Sequence, residues 1–321
     1  MFTILKKNWF MVGLVLTAVM VVVDSTGFLV QPGLWLKHHH GPDTVIVIIF
    51  FLSGLALDTR QIKDGIADVK GTLLALCLIF LVAPLVGYLF SLLPLPTALL
   101  TGLLLVSAMP TTLSSGVVMT GSAGGNMAHS LLITIIANAL AVVTIPITLT
   151  LLLGGNGSQT IQIDQLPIMI KIGTLVLAPL IIGITTRRIF GTLLQPVLLY
   201  TSTCNQIGIL SIVWMALCGS RPAIISSLNS VILVIVIVFF FHLALVLIGL
   251  FLTQTFKIPK GKRESVIFMG GQKTLPLSII LQVSLFPELG LALVVCVVHH
   301  IVHLIMDAYL IGYLKKLKKS N

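Results

Sequence analysis

Apolar residues in this chain gather into ten long runs, at 9–30, 43–59, 71–92, 97–120, 127–153, 167–187, 196–219, 229–252, 264–286 and 289–313. Each is close to the roughly 20 residues with which an α-helix crosses a hydrocarbon core. None alternates with period two, and each is about twice the length of a barrel strand, which argues against a β-barrel. Turn and breaker residues separate the runs: Gln31-Pro32-Gly33, Gly41-Pro42-Asp43, Pro94 with Pro96, Gly154-Gly155-Asn156-Gly157 and Arg221-Pro222. No gap could hold a soluble domain. The pattern predicts an all-α integral membrane protein, one transmembrane domain over 1–321 with ten spanning helices.

Composition agrees. Of 321 residues, 57% are hydrophobic and 9% charged, whereas a soluble domain carries about 25% charged residues. The net charge of +10 is not a nucleic-acid footprint, because the cations sit in short clusters between apolar runs. With both termini inside, fifteen of the nineteen Lys and Arg residues fall on inner segments, three (Lys37, Lys171, Arg221) on outer ones, and Lys273 lies within a span. That is the positive-inside bias, and it places both termini in the cytoplasm. Compact loops and the absence of a transit peptide point to a prokaryotic inner membrane. The first run is too long for a signal peptide and lacks a small-residue cleavage site. Cys77, Cys204, Cys218 and Cys296 lie in apolar runs without metal spacing and read as buried apolar residues.

Ten spans divide into two sets of five, expected as repeats over 1–153 and 167–313. An odd number per half gives the halves opposite orientation, an inverted repeat. The fourth span of each half is interrupted at its centre, by Met109-Pro110-Thr111-Thr112-Leu113-Ser114-Ser115-Gly116 and by Gly270-Gly271-Gln272-Lys273-Thr274-Leu275-Pro276. Paired interruptions of this kind mark a midplane binding site.

Pro110, Gly116, Gly270, Gly271 and Pro276 are the expected breakers of the fourth and ninth helices. The backbone groups they free cannot face lipid and must line a protein-enclosed cavity. Around Pro110 stand the hydroxyls of Thr111, Thr112, Ser114 and Ser115, either bonded back to their own helix or offered to a ligand. Lys273 lies nine residues beyond Glu264, at the expected cytoplasmic edge, which is about 13 Å deep. A charged lysine there costs at least about 2.5 kcal/mol, and no acidic residue falls near a helix midpoint. Its amine is therefore neutral in an empty site, or pairs with an anionic substrate, with Thr274 beside it. In the fifth span Asn126 follows two glycines, and Ser130, Thr134 and Asn138 form an i, i+4, i+8 stripe that serves either packing or a site. Asn205 and Gln206 are candidate cavity residues in the seventh span. In the tenth, His299, His303 and Asp307 share a face, which suits a proton relay or polar packing. Metal binding would need a second ligand cluster that the chain does not present. No nucleophile, paired-acid, zinc-hydrolase or phosphate-loop pattern is present, so an enzyme and a resident cofactor are not expected.

Through the ten-run hydropathy, the motif from Met109 to Gly116, Gly124-Gly125-Asn126 and Gly270-Gly271-Gln272-Lys273-Thr274, the chain resembles the bile acid:sodium symporter family over essentially its whole length. The run Phe50-Phe51-Leu52-Ser53-Gly54-Leu55-Ala56-Leu57-Asp58-Thr59 resembles a divergent branch that includes an orphan solute-carrier-10 member and bacterial homologues. The resemblance implies two inverted five-helix repeats with crossed, unwound fourth and ninth helices, and panel and core domains that move against each other. It also implies Na⁺ as coupling ion, with Ser115, Ser130, Thr134 and Gln272 at positions of family sodium ligands. The chain departs from the sodium-coupled branch at Gly116 and Lys273, where the family has asparagine, at Phe268, where it has glutamate, and near Ile79, where it has glutamine. The site's charge changes by up to about two units, and a second cation beside a lysine is repelled. Either Lys273 replaces a cation, leaving proton-linked exchange or uniport, or one sodium is held by the surviving hydroxyls.

The expected function is secondary active transport of a small organic anion by alternating access. Coupling would be to Na⁺ through the hydroxyl set or to H⁺ through Lys273, His299 and His303. A channel would show rings of charge along its lining, and none is visible. A non-transporting membrane regulator is distinguished only by measuring flux.

Overall fold

The computed structural model describes residues 9–57, 68–154, 164–191, 193–226 and 228–319. Among these, helix is the only regular structure. The principal helices are α1 (Trp9–Val23), α2 (Val30–His38), α3 (Gly41–Ala56), α4 (Val69–Ser91), α5 (Thr97–Ala108), α6 (Ser115–Ser122), α7 (Met127–Leu153), α8 (Gln165–Phe190), α9 (Thr201–Ser226), α10 (Val231–Thr255), α11 (Lys262–Gly271), α12 (Leu275–Leu285) and α13 (Gly290–Lys319). Every apolar run of the sequence lies mainly on one of these or on a consecutive pair. Among the described residues seven elements are long and apolar enough to cross a membrane, counting α11 with α12 as one. The number is eight if α2 and α3, bent by 78°, form one span, while α1 and α5 are apolar but shorter. The chain is a multi-pass, all-helical membrane protein.

Three expected turn signals lie inside helices instead, Gly41-Pro42-Asp43 as the first turn of α3. Gln31-Pro32-Gly33 falls in the first turn of α2, where a missing proline N–H costs nothing because those first amides have no partner within the helix. Pro222 lies near the end of α9. Arg221 beside it donates to the carbonyls of Val21 (2.9 Å), Val22 (3.3 Å) and Asp24 (2.8 Å), capping the carboxyl end of α1. Cys218 and Cys296 are buried as expected, but Cys204 is exposed. The Gly155-Asn156-Gly157 turn and the loop with Arg60 and Lys63 lie outside the described residues.

Two spans carry a π turn just before an Ala-Pro pair: Leu78–Val82 in α4 and Gly173–Leu177 in α8. In α4 the N–H of Ala83 bonds the carbonyl of Leu78. The next residue in that register, Pro84, has no N–H, so the carbonyl of Ile79 is left without a helical donor.

The helices sort into two groups. In one, α3 packs on α8 and α9, and α9 also packs on α1 and α2. In the other, α13 packs on α5 and α10, while α11 packs on α4, α6, α7 and α10. The α11–α12 span is innermost: 94% of its most apolar stretch is buried, against 39% for α10, which keeps a broad outward face.

Candidate ion and substrate site

Two helix breaks meet at the centre of the second group. Helix α5 ends at Ala108 because Met109 turns extended (φ −73°, ψ 148°), and Pro110 supplies no amide to continue the ladder. Helix α11 ends at Gly271, since Gln272 is extended (φ −74°, ψ 144°), and so is Thr274 (φ −73°, ψ 127°) ahead of α12. Pro276 sits in the first turn of α12, where proline is tolerated. The two extended stretches touch: the Thr274 N–H donates to the Pro110 carbonyl at 3.0 Å. Of the three expected glycine breakers, Gly271 stands at the end of α11, while Gly270 and Gly116 serve close approach. A Cβ on Gly270 would lie 2.8 Å from Leu78 of the π turn. Gly116 is not at the break but inside α6, where a Cβ would lie 2.7 Å from Met269 Sδ and 3.3 Å from Gln272 Oε1.

Gln272 joins the breaks. Its Oε1 accepts from the hydroxyls of Thr112 (2.8 Å) and Ser115 (2.9 Å). Its Nε2 donates to Asp307 Oδ2 at 2.7 Å and lies 3.0 Å from Met119 Sδ. From α7, Thr134 donates to the carbonyls of Ser130 (2.9 Å) and Thr112 (3.4 Å), and Ser130 donates to Thr120 Oγ1 at 2.9 Å. Ser115, Ser130, Thr134 and Gln272 therefore form one chain of contacts around the α5–α6 break, with Thr112 joining Gln272 to Thr134. Ser130, Thr134 and Asn138 are all fully buried, so their stripe faces inward. The set is made of hard, neutral oxygens at an unwound helix, the donor chemistry that suits an alkali cation.

Lys273 turns elsewhere. It is 2% exposed, and its Nζ donates to the carbonyls of Ile79 (2.9 Å) and Met109 (3.0 Å). One is the carbonyl orphaned by the π turn and Pro84. The other lies at the carboxyl end of α5, where partial negative charge collects. Phe268, standing where a family carboxylate was expected, packs in an apolar cluster with Ala123, Ile267 and Leu314.

The buried carboxylate of this region is Asp307, 1% exposed, from α13. Its Oδ1 meets His242 Nε2 at 3.0 Å. His242, on α10, is a residue that sequence reasoning missed, since a lone histidine in an apolar run carries no spacing signal. Its ring also packs against His299 and His303, and His300 packs against His303. His242 Nδ1, His299 Nε2 and both nitrogens of His303 have no hydrogen-bond partner among the described residues.

A cavity of ≈ 610 Å³ lies between the two helix groups. Ser53 of α3 and Asn205 and Gln206 of α9 line one wall, and Thr112, Ser114, Ser115, Thr274 and His300 line the other. Asn205 donates to Ser53 Oγ at 3.0 Å, and its own Oδ1 is unpartnered. The amino ends of α6 and α12 both reach this wall, and neither Ser114 nor Thr274 caps its helix through its side chain. Two positive helix ends facing one cavity favour an anion. Thr111, Asn126, Asn138 and Lys273 are not part of the wall. Thr111 is buried with an unpartnered hydroxyl, Asn126 caps α7 through the His129 N–H at 3.1 Å, and Asn138 bonds Thr134 in its own helix at 2.9 Å.

The SBF-like CPA transporter family matches this chain over residues 8–316. The chain belongs to that family. "Probable sodium/metabolite cotransporter BASS4, chloroplastic" of Arabidopsis thaliana is 32% identical over 281 residues, covering 82% of this chain and 64% of the plant protein. Sodium/bile acid cotransporters 7-A and 7-B of Xenopus laevis are 28% and 27% identical over 327 residues, covering 97% of this chain and 92% of each relative. These similarities agree with the bile acid:sodium symporter motifs of the sequence. The chain is a membrane transporter, not an enzyme.

Proposed function

We propose that this chain is a sodium-coupled secondary transporter of a small organic anion, working by alternating access. The observation that carries the reading is the convergence of Thr112, Ser115, Ser130, Thr134 and Gln272 at crossed helix breaks, beside a cavity faced by two helix amino ends. One Na⁺ is held by that oxygen set. The anion lies in the cavity against Ser114, Thr274 and Asn205, near the positive ends of α6 and α12. Lys273 acts as the fixed replacement for a second cation. Its two carbonyl partners favour this over direct contact with substrate.

Residues 1–153 and 167–313 form two inverted five-helix repeats, with α1, the bent α2–α3 region and the broken α5–α6 span completing ten spans. The matched breaks α5–α6 and α11–α12 support this. The group of α1, α3, α8 and α9 rocks against the remainder across the cavity. The cavity wall runs out to Lys315, which opens it to the cytoplasm when both termini are cytoplasmic. A second reading, proton coupling through Lys273, His299 and His303, draws on the unpartnered ring nitrogens of the two histidines.

The deciding experiment is the thermal stability of purified protein titrated with NaCl against choline chloride. A ligand that binds only the folded state raises the midpoint once its concentration passes its Kd. A saturable, Na⁺-specific rise that is lost in Thr134→Ala is expected. A response to pH alone, abolished by Lys273→Ala, would overturn sodium coupling in favour of the proton.

A further inference from the structure

Asp307 makes no contact with the hydroxyl set, yet it decides how Gln272 faces that set. A hydroxyl both donates and accepts, so Thr112 and Ser115 alone would take either end of the amide. A carboxylate only accepts. Asp307 Oδ2, 2.7 Å from Nε2, therefore requires the amide nitrogen and leaves Oε1 to Thr112 and Ser115. His242 holds the other carboxylate oxygen at 3.0 Å, so Asp307 cannot swing away without losing a second bond. Gln272, Asp307 and His242 are all buried, so exchange of any of these bonds for solvent is costly. Lys273 is committed to Ile79 and Met109, and the ion-pair partner of Asp307 among the described residues is His242.

Resting on the reading of Gln272 as a sodium ligand, we propose that Asp307 is the positioning residue of the cation site. It orients the Gln272 oxygen toward the ion and supplies, from one residue behind, the negative charge that Phe268 does not. His242 in turn positions Asp307. The cation site thereby includes α10 and α13, although neither helix contributes a ligand to it.

The test measures the apparent Na⁺ Kd of the purified full-length protein, from thermal midpoints in NaCl against choline chloride. The variants are Asp307→Asn, Gln272→Glu and the double Gln272→Glu/Asp307→Asn. Asp307→Asn removes the charge and the orientation constraint together, and the Kd should rise at least about tenfold. Gln272→Glu alone sets two carboxylates in contact and should unfold at lower temperature with no Na⁺ specificity gained. In the double variant the carboxylate moves forward and an amide stands behind it. The same hydrogen bonds form, and the Kd should return to within about threefold of wild type. A merely structural Asp307 would not produce that recovery. His242→Phe should weaken Na⁺ by about threefold. An unchanged Kd in Asp307→Asn, or a double variant no better than either single one, overturns the proposal. If Asp307→Asn does not fold, the double variant against Gln272→Glu decides it: a sodium response restored in the double supports the proposal, and its absence there overturns it. A wild-type protein with no Na⁺ response overturns the sodium reading itself.

Discussion

Gln272 and Lys273 are neighbours in one helix break, yet they serve opposite ends. The Gln272 oxygen collects two hydroxyl protons that can rotate away, so its position is open to an exchangeable cation. Lys273 brings its own nitrogen, tethered to the backbone and on the proposed reading a cation, to two carbonyls that a π turn and a helix end leave without donors. A tethered ion cannot leave during a transport cycle. On the proposed reading, one break carries a fixed and an exchangeable positive charge side by side, and the candidate sodium ligands persist beside a lysine.

The largest expected effect comes from removing the fixed charge. Lys273→Ala strands two buried carbonyls and opens a cavity, and should destabilise the protein by about 3–5 kcal/mol. Melting in detergent measures this. Ethylammonium at high concentration should partly restore the Lys273→Ala midpoint, whereas Lys273→Met keeps the stem and should not respond. An equal response in both would break the comparison. A smaller effect is expected on the exchangeable side. Ser115→Ala should weaken Na⁺ about three- to tenfold, while the midpoint in choline chloride moves by no more than about 1 kcal/mol.

Arg221→Ala, remote from both positions, uncaps α1 and should cost about 1 kcal/mol with no change in Na⁺ affinity. The smallest effect belongs to Asp24. Desolvation opposes its ionised form, but N–H groups of Val30, Leu29 and Gly27 and the Thr26 hydroxyl hold its carboxyl down at about 2. A depressed carboxylate stabilises the fold above its ordinary pKa, near 3.8, and the contribution is lost as pH falls toward 2. Asp24→Asn should therefore flatten the stability profile between those values and leave pH 7 transport intact. A steeper acid limb in the variant would refute this.

Much of the site was legible one helix at a time. The i, i+4, i+8 spacing of Ser130, Thr134 and Asn138 already placed them on one face, and Pro110 beside a run of hydroxyls marked a break. Gly116 misled as a breaker because a glycine needed for close approach to Gln272 and Met269 looks the same in sequence as one that interrupts a helix. Pro32 misled for a related reason, since a proline in the first turn forfeits no helical bond, while Pro222 is carried near the end of α9. Asp307 was visible only as the end of a histidine stripe. Its bond to Gln272 joins residues 35 apart across separate spans, and no local spacing encodes it.

By itself, the sequence determined that this is a multi-pass helical membrane protein, with two interrupted spans and a family of transporters to which it belongs. Those properties follow from hydrophobic run length, charge bias and short motifs, all local along the chain. Only the tertiary structure decided which oxygens face one another, that the Lys273 ammonium is already committed, and that Asp307 stands behind Gln272. Each depends on which backbone and side-chain groups are left unsatisfied once helices pack, because buried polar groups must find partners wherever the fold brings them.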